Sequence, residues 1–230
     1  MKILLICYSL FFFAGNTWGQ TSRMILSNTT IYPEDRYKEY KGSPFFFKDW
    51  VKADIYNQNG DVFENMTVNY NIYENFFEIL EGKKYAVMDP YFYWCVKVDK
   101  EDNPEMMKDM QDSILFIRGL MADDEKKFVQ VMYNGIQIKL LREMNVAESV
   151  KTFQNVGQTV TNKRFNRKDR YYLVKEGEYT EVKLRKKDLL KALGPKKELE
   201  KWAKEQKNKL KEDADFESLL AYYEATYLNN

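Results

Sequence analysis

The stretch GSPFFFKDWVKADIYNQNGDVFENMTVNYNIYENFFEIL, residues 42–80, decides the fold class. Residues 50–56 and 62–73 are rich in aromatic and β-branched side chains. The cluster Gln58-Asn59-Gly60-Asp61 between them supplies the positive-φ positions of a tight reversal, so the stretch predicts a β-hairpin. In its second strand Met66, Val68, Tyr70 and Ile72 alternate with Thr67, Asn69 and Asn71. A period of two predicts a half-buried strand with one wet face.

The same pattern recurs outward along the chain. Residues 76–80 and 85–89 flank Glu81-Gly82-Lys83, residues 128–133 and 136–142 flank Asn134-Gly135, and residues 171–175 and 179–184 flank Glu176-Gly177-Glu178. Asn-Gly between apolar runs is the strongest of these turn signals. Units centred on Gly60, Gly82, Gly135 and Gly177 predict an antiparallel meander of hairpins rather than a parallel arrangement. Residues 91–98 and 113–117 read as further strands around an acidic, Met-rich loop. Residues 143–169 are weakly patterned, are rich in Lys and Arg toward their end, and read as an exposed connection.

Beyond Leu184 the apolar period lengthens to about 3.6 residues. A short helix over 188–193 is closed by Gly194, and Pro195 opens the next. Leu199, Trp202, Ala203 and Leu210 form the apolar stripe of that second helix. Asp213 or Asp215 caps a third, whose apolar face is Phe216, Leu219, Leu220, Tyr223 and Tyr227. The expected class is therefore α+β: an irregular leader over 20–41, a mainly antiparallel β domain over 42–184, and C-terminal amphipathic helices over 185–230.

The first 19 residues pair Lys2 with an apolar run from 3 to 14 and small residues near Thr17 and Gly19, the pattern of a secretory signal peptide cleaved before Gln20. Cys7 follows Leu5 and Ile6, but too short an apolar core precedes it for a lipoprotein signal, so no lipid anchor is expected. From residue 20 onward 35 basic and 35 acidic groups balance, which argues against a chain that sticks to nucleic acid or membrane through its overall charge. No transmembrane segment is expected once the signal is removed. Cys95 is then the single cysteine, unable to form an intramolecular disulfide, and its aromatic neighbours predict a buried, inert thiol. The balance hides an asymmetry. Residues 163–212 hold 18 basic and 9 acidic side chains, a surface an anionic partner would contact, although Glu198, Glu200 and Glu205 interleave with the lysines as on an ordinary solvated helix.

The chain has no histidine, which removes Ser-His-Asp and Cys-His systems, histidine general bases and the usual zinc sites. It has no Ser-x-x-Lys and no phosphate-cradling glycine loop. The densest carboxylate clusters, Asp123-Asp124-Glu125 and residues 99–105, read as solvated loops. Asn57, Asn59 and Asp61 alternate as in a calcium loop, but lack its later bidentate Glu and are accounted for by the hairpin turn. Phe45, Phe46, Phe47, Trp50 and the run Tyr91-Phe92-Tyr93-Trp94 are the residues that would stack on sugars or grip a partner. Alternation instead favours core, with Tyr91 and Tyr93 on one face and Phe92 and Trp94 on the other. No catalytic, cofactor-binding or metal-binding residue is assigned, and no cofactor is expected.

Gly42-Ser43-Pro44-Phe45, Trp50, Asn59-Gly60, Asn69-Tyr70-Asn71 and the segment 186–191 together make the chain resemble a family of uncharacterised secreted proteins from Bacteroidota bacteria. The resemblance covers most of the chain after the signal and implies an exported bacterial protein without implying a reaction. The expected function is a non-enzymatic binding or structural module of the cell envelope, with an envelope protein or glycan as partner. The competing expectation is a carboxylate-based hydrolase acting on an envelope glycan.

Overall fold

Alternating patterns on both sides of glycine-centred turns produce a strand-rich chain. The computed structural model describes residues 35–228, apart from 82–83, 88–92, 109, 122–123, 156, 195–196 and 207–212. In chain order the strands are β1 (Tyr40–Lys41), β2 (Val51–Asn57), β3 (Val62–Asn71), β4 (Phe76–Glu81), β5 (Lys84–Val87), β6 (Tyr93–Asp99), β7 (Ser113–Arg118), β8 (Phe128–Asn134), β9 (Ile138–Glu143), β10 (Val146–Asn155), β11 (Gln158–Arg167), β12 (Arg170–Lys175) and β13 (Glu178–Val182). Three helices follow: α1 (Lys186–Leu193), α2 (Lys197–Glu205) and α3 (Asp213–Tyr227). The expected α+β class holds in its coarse form, mainly β with C-terminal helices.

The expectation of a simple meander does not hold. Ten strands form one sheet in the order β13-β12-β9-β8-β7-β6-β2-β3-β4-β5, all antiparallel. After β5 at one edge the chain returns to place β6 against β2, and β12 later pairs with β9, so three sequential runs are joined through two non-sequential pairs. The region 143–169 is also corrected: it forms β10 and β11, a hairpin of two ten-residue strands that leaves the main sheet and pairs with β1. Both faces of that hairpin are largely exposed, so the apolar alternation that marks a buried strand is absent from its sequence.

The ten-stranded sheet curls over its own core. Phe77 of β4 and Phe116 of β7 lie four strand positions apart, about 19 Å in a flat sheet. Their rings are nevertheless 5.3 Å apart, and Phe77 also meets Phe128 of β8 at 5.2 Å. Val51, Ile55, Val68, Tyr70, Ile79, Val96, Val98 and Ile114 complete this core. A bulge centred on Asn65, at φ 58° with its amide donating to Asp54 Oδ1 at 3.0 Å, lets Phe63 and Val68 share the core face despite odd spacing.

The wet face expected for β3 is dry at its end. Asn69 and Asn71 are buried. Asn69 Nδ2 donates to the carbonyls of Phe47 and Asp49, both at 3.1 Å. Asn71 Nδ2 donates to Glu78 Oε1 at 2.7 Å and to the Tyr37 hydroxyl at 3.1 Å. Residues 35–49 therefore cover this face, and β1 binds β11 in parallel through Tyr40 and Lys41. An amide at every second position reads the same whether water or a carbonyl satisfies it.

The helices close a second core on β8, β9, β12 and β13. Leu189, Leu193, Leu199, Ala203, Phe216, Leu219, Leu220 and Tyr223 are buried with Met132, Ile138, Leu140 and Leu173. Trp202 is only half-buried and stacks on Tyr222 at 4.6 Å. Leu210 lies outside the described residues, as do Met1 to Glu34 and with them the expected signal segment.

Candidate functional site

One end of the curled sheet gathers the end of β2, the start of β6, the end of β7 and the start of β8. The turn after β2 is built by Asn57, which is 1% exposed. Its Oδ1 accepts the amides of Asn59 and Asp61, both at 2.9 Å, and its Nδ2 donates to Asp61 Oδ2 at 2.8 Å. Gly60 supplies φ 88°. The Asn57, Asn59 and Asp61 alternation is thus consumed by turn bonding. Among the described residues no group of three or more His, Cys, Asp or Glu is placed to hold a metal ion.

The same turn fixes Trp94. Its Nε1 donates to the Asn57 carbonyl at 2.9 Å, so the polar edge of the indole is satisfied while 41% of the residue stays exposed. Tyr56 leans on it at 6.4 Å between ring centres. Trp94 lines a groove of about 730 Å³ with Gln58, Arg118, Gly119, Asp124, Glu125 and Lys126. Asp124 shapes the far wall, its Oδ1 accepting the Lys126 amide at 3.0 Å. The groove therefore joins two features that are 30 residues apart in sequence: the aromatic run ending at Trp94 and the carboxylate cluster at Asp124-Glu125. An anchored aromatic plane beside planar amide, guanidinium and carboxylate groups is suited to a flat ligand with an apolar face and polar edges.

The expectation that Trp94 lies in the core is corrected. Its neighbour Tyr93 is fully buried and meets Phe63 at 5.8 Å, while Trp94 points to the groove. Phe47 is buried and Phe46 packs on the core beside it. Trp50 is half-buried. Tyr91, Phe92 and Asp123 lie outside the described residues.

The other acidic cluster is a folded loop. Asn103 Oδ1 accepts the Lys52 amide at 2.7 Å, and its Nδ2 donates to the carbonyls of Lys52 at 2.8 Å and Asp99 at 2.9 Å, tying the loop to β2. The buried carboxylates are dispersed through the fold. Glu78 is pushed upward by burial, against the opposing effect of Asn71 and Arg36. Burial also acts to raise Glu143, but Lys127 at 2.6 Å and Arg170 at 2.8 Å outweigh it and hold the carboxyl below the ordinary glutamate value. Glu224 is likewise held low, burial being outweighed by the Gln137 amide, the Tyr133 hydroxyl and the Ile138 amide. Cys95 is buried, and burial pushes its thiol up to about 12.

Sequence reasoning singled out both walls of the groove but did not bring them together, and it missed Gln58 and Arg118. Gln58 carried no signal beyond membership of a turn. Among the described residues no helix is long and apolar enough to cross a membrane. No family model, curated protein or solved structure matches the chain.

Proposed function

We propose that the protein is an exported module of the bacterial cell envelope that binds a glycan without cleaving it. The observation that carries this reading is Trp94, held by its Nε1 bond to Asn57 with its ring at the mouth of a groove lined by Gln58, Arg118, Asp124 and Glu125. The C–H face of a sugar ring covers an indole, while its hydroxyls accept from guanidinium and amide N–H groups and donate to carboxylates. A volume of about 730 Å³ accommodates a short oligosaccharide, within the usual range of about 300–1,000 Å³ for ligand sites. The secretory signal pattern and the resemblance to secreted Bacteroidota proteins support the location.

Binding is favoured over hydrolysis by where the carboxylates lie. Hydrolysis by an acid and nucleophile pair uses two carboxylates in one cleft, with the environment of each tuned. Here Glu78, Glu143 and Glu224 are separately engaged in structural networks, and the groove carboxylates Asp124 and Glu125 sit exposed on a loop. The test is affinity capture on peptidoglycan and envelope polysaccharide with protein recovered from the cell envelope, whose N-terminus mass spectrometry should place at Gln20. Trp94→Ala should weaken capture about tenfold or more. Release of reducing ends that disappears in Asp124→Asn or Glu125→Gln would establish the hydrolase instead, and capture indifferent to Trp94 would remove the groove from the function.

A further inference from the structure

The β10–β11 hairpin has a construction the groove does not explain. Its base is anchored: Phe165 is buried, stacks on Tyr40 at 4.4 Å and meets Tyr37 at 5.3 Å and Tyr73 at 5.2 Å, while Glu148 accepts the Tyr40 hydroxyl at 2.8 Å. Beyond Lys163 no other described strand pairs with it. On this projecting part Val150, Phe153 and Val160 are 53%, 51% and 43% exposed. Residues 152–162 contain no Asp, Glu, Lys or Arg, in a chain that is 31% charged.

The register orders these side chains along the arm. Paired residues of an antiparallel ladder project to the same side, and so do alternate residues of one strand. The pairs Phe153↔Val160, Lys151↔Asn162 and Ser149↔Arg164 therefore share one face. From tip to base that face carries the uncharged pair Asn155 and Gln158, then Phe153 and Val160, then Lys151, then Arg164. Lys163 is paired with Glu39 at 2.8 Å and Arg167 with Asp169 at 3.0 Å, which leaves Lys151 and Arg164 without a carboxylate partner among the described residues.

We propose that this arm docks on an anionic phospholipid bilayer, with Phe153 and Val160 in the interface and Lys151 and Arg164 at the level of the headgroups. The dimensions agree. At about 3.4 Å per residue, Lys151 lies roughly 7 Å and Arg164, opposite Ser149, roughly 14 Å behind Phe153, and interfacial elements seat their apolar face about 5–10 Å deep, so the two cations span the headgroup layer. The charge agrees as well: the uncharged end enters the interface without desolvating an ion, and the two uncommitted cations follow where anionic headgroups are densest. This surface lies on a different element from the Trp94 groove and does not depend on it.

The test is co-sedimentation of the chain from Gln20 with vesicles of phosphatidylcholine and phosphatidylglycerol at 3:1, and of phosphatidylcholine alone, at ~0.15 M salt, where the Debye length is about 8 Å. The expected result is binding to the anionic vesicles that weakens in high salt and on neutral vesicles. Phe153→Ser with Val160→Ser should weaken it roughly tenfold or more. Lys151→Glu with Arg164→Glu should weaken it by about thirtyfold or more, at about fivefold per cation lost. These side chains are exposed, so circular dichroism and the thermal midpoint should be unchanged. Reversal of two exposed helix lysines, Lys197→Glu with Lys204→Glu, should alter binding less than about twofold. Absence of vesicle binding overturns the proposal, as does binding that survives the arm variants or is lost in the helix variant. An arm-dependent dimer that ignores vesicles would identify the arm as a contact between copies and overturn it equally.

Discussion

The carboxylate of Glu224, on α3, fills the space that a Cβ on Gly135 would occupy. Neither Asn134 nor Gly135 has positive φ, so this glycine is needed for the helix rather than for the turn conformation its Asn-Gly sequence suggests. With no side chain there, Glu224 reaches the loop between β8 and β9 and accepts the Gln137 amide at 2.5 Å, the Tyr133 hydroxyl at 2.7 Å and the Ile138 amide at 3.3 Å. Gly135→Ala should destabilise the protein by about 1–3 kcal/mol in urea unfolding, the range for an extra atom in a filled space. Glu224→Ala should cost a similar amount by leaving buried donors unpaired. In the Glu224→Ala background the methyl at 135 has room, so the two losses should be strongly non-additive. Simple additivity would show that the two residues do not share this space.

Acid should act through the same carboxylate and through Glu143. Both are held below the ordinary value of 4.5, so the stability they contribute is complete above the unfolded value and is lost as pH falls through their folded values. Glu78 is raised, so its contribution is lost as pH rises and it does not drive acid unfolding. The thermal midpoint should decline below about pH 4.5. The double variant Glu143→Gln, Glu224→Gln should start lower at neutral pH and show a flatter acid decline. An unchanged acid slope in that variant would assign the effect to other groups.

Local strand chemistry was legible in the sequence because it is written in neighbours. The turns at Gly60 and Gly177 and the apolar faces of Val68, Tyr70 and Ile72 each sit within a few residues of their cause. Pairing of β6 with β2 was not legible, because returning across the sheet leaves no mark on either strand. The candidate site was half legible. Trp94 and Asp124 each stood out, but their proximity follows from the order of β2, β6, β7 and β8, which only long-range pairing sets. Alternation separated Tyr93 from Trp94 and could not say which of the two faces was wet.

Cys95 is expected to be chemically silent in the native state. It is 3% exposed and its thiol is pushed up to about 12, so at neutral pH it presents little thiolate and little surface. A thiol reagent should label the folded protein at the rate of its opening reactions and the denatured protein rapidly. Cys95→Ser should retain glycan capture while losing some stability, since it buries a hydroxyl in place of a sulfur. Rapid labelling of the folded protein, or capture lost in Cys95→Ser, would make the thiol functional.

Truncation before Pro195 separates a structural from an accessory role for the last two helices. Leu199, Ala203, Phe216, Leu219, Leu220 and Tyr223 are each at most 4% exposed, and they cover Ile138, Leu140 and Leu173 on the sheet. Fully burying one large apolar side chain contributes about 1.5–3 kcal/mol. The set therefore contributes on the order of 10 kcal/mol, an upper figure because unfolded chains already bury part of this surface. Whole domains of this size are stable by only about 5–15 kcal/mol. Removing α2 and α3 should therefore leave a sheet that is insoluble or melts far below the intact chain, and Leu219→Ala alone should cost about 2–5 kcal/mol. The lysine-rich surface of α2 would then be the solvated side of a structural helix, with Lys201 and Glu205 3.7 Å apart as an ordinary surface pair. A soluble truncated chain with an unchanged midpoint would show instead that the helices are carried by the sheet without supporting it.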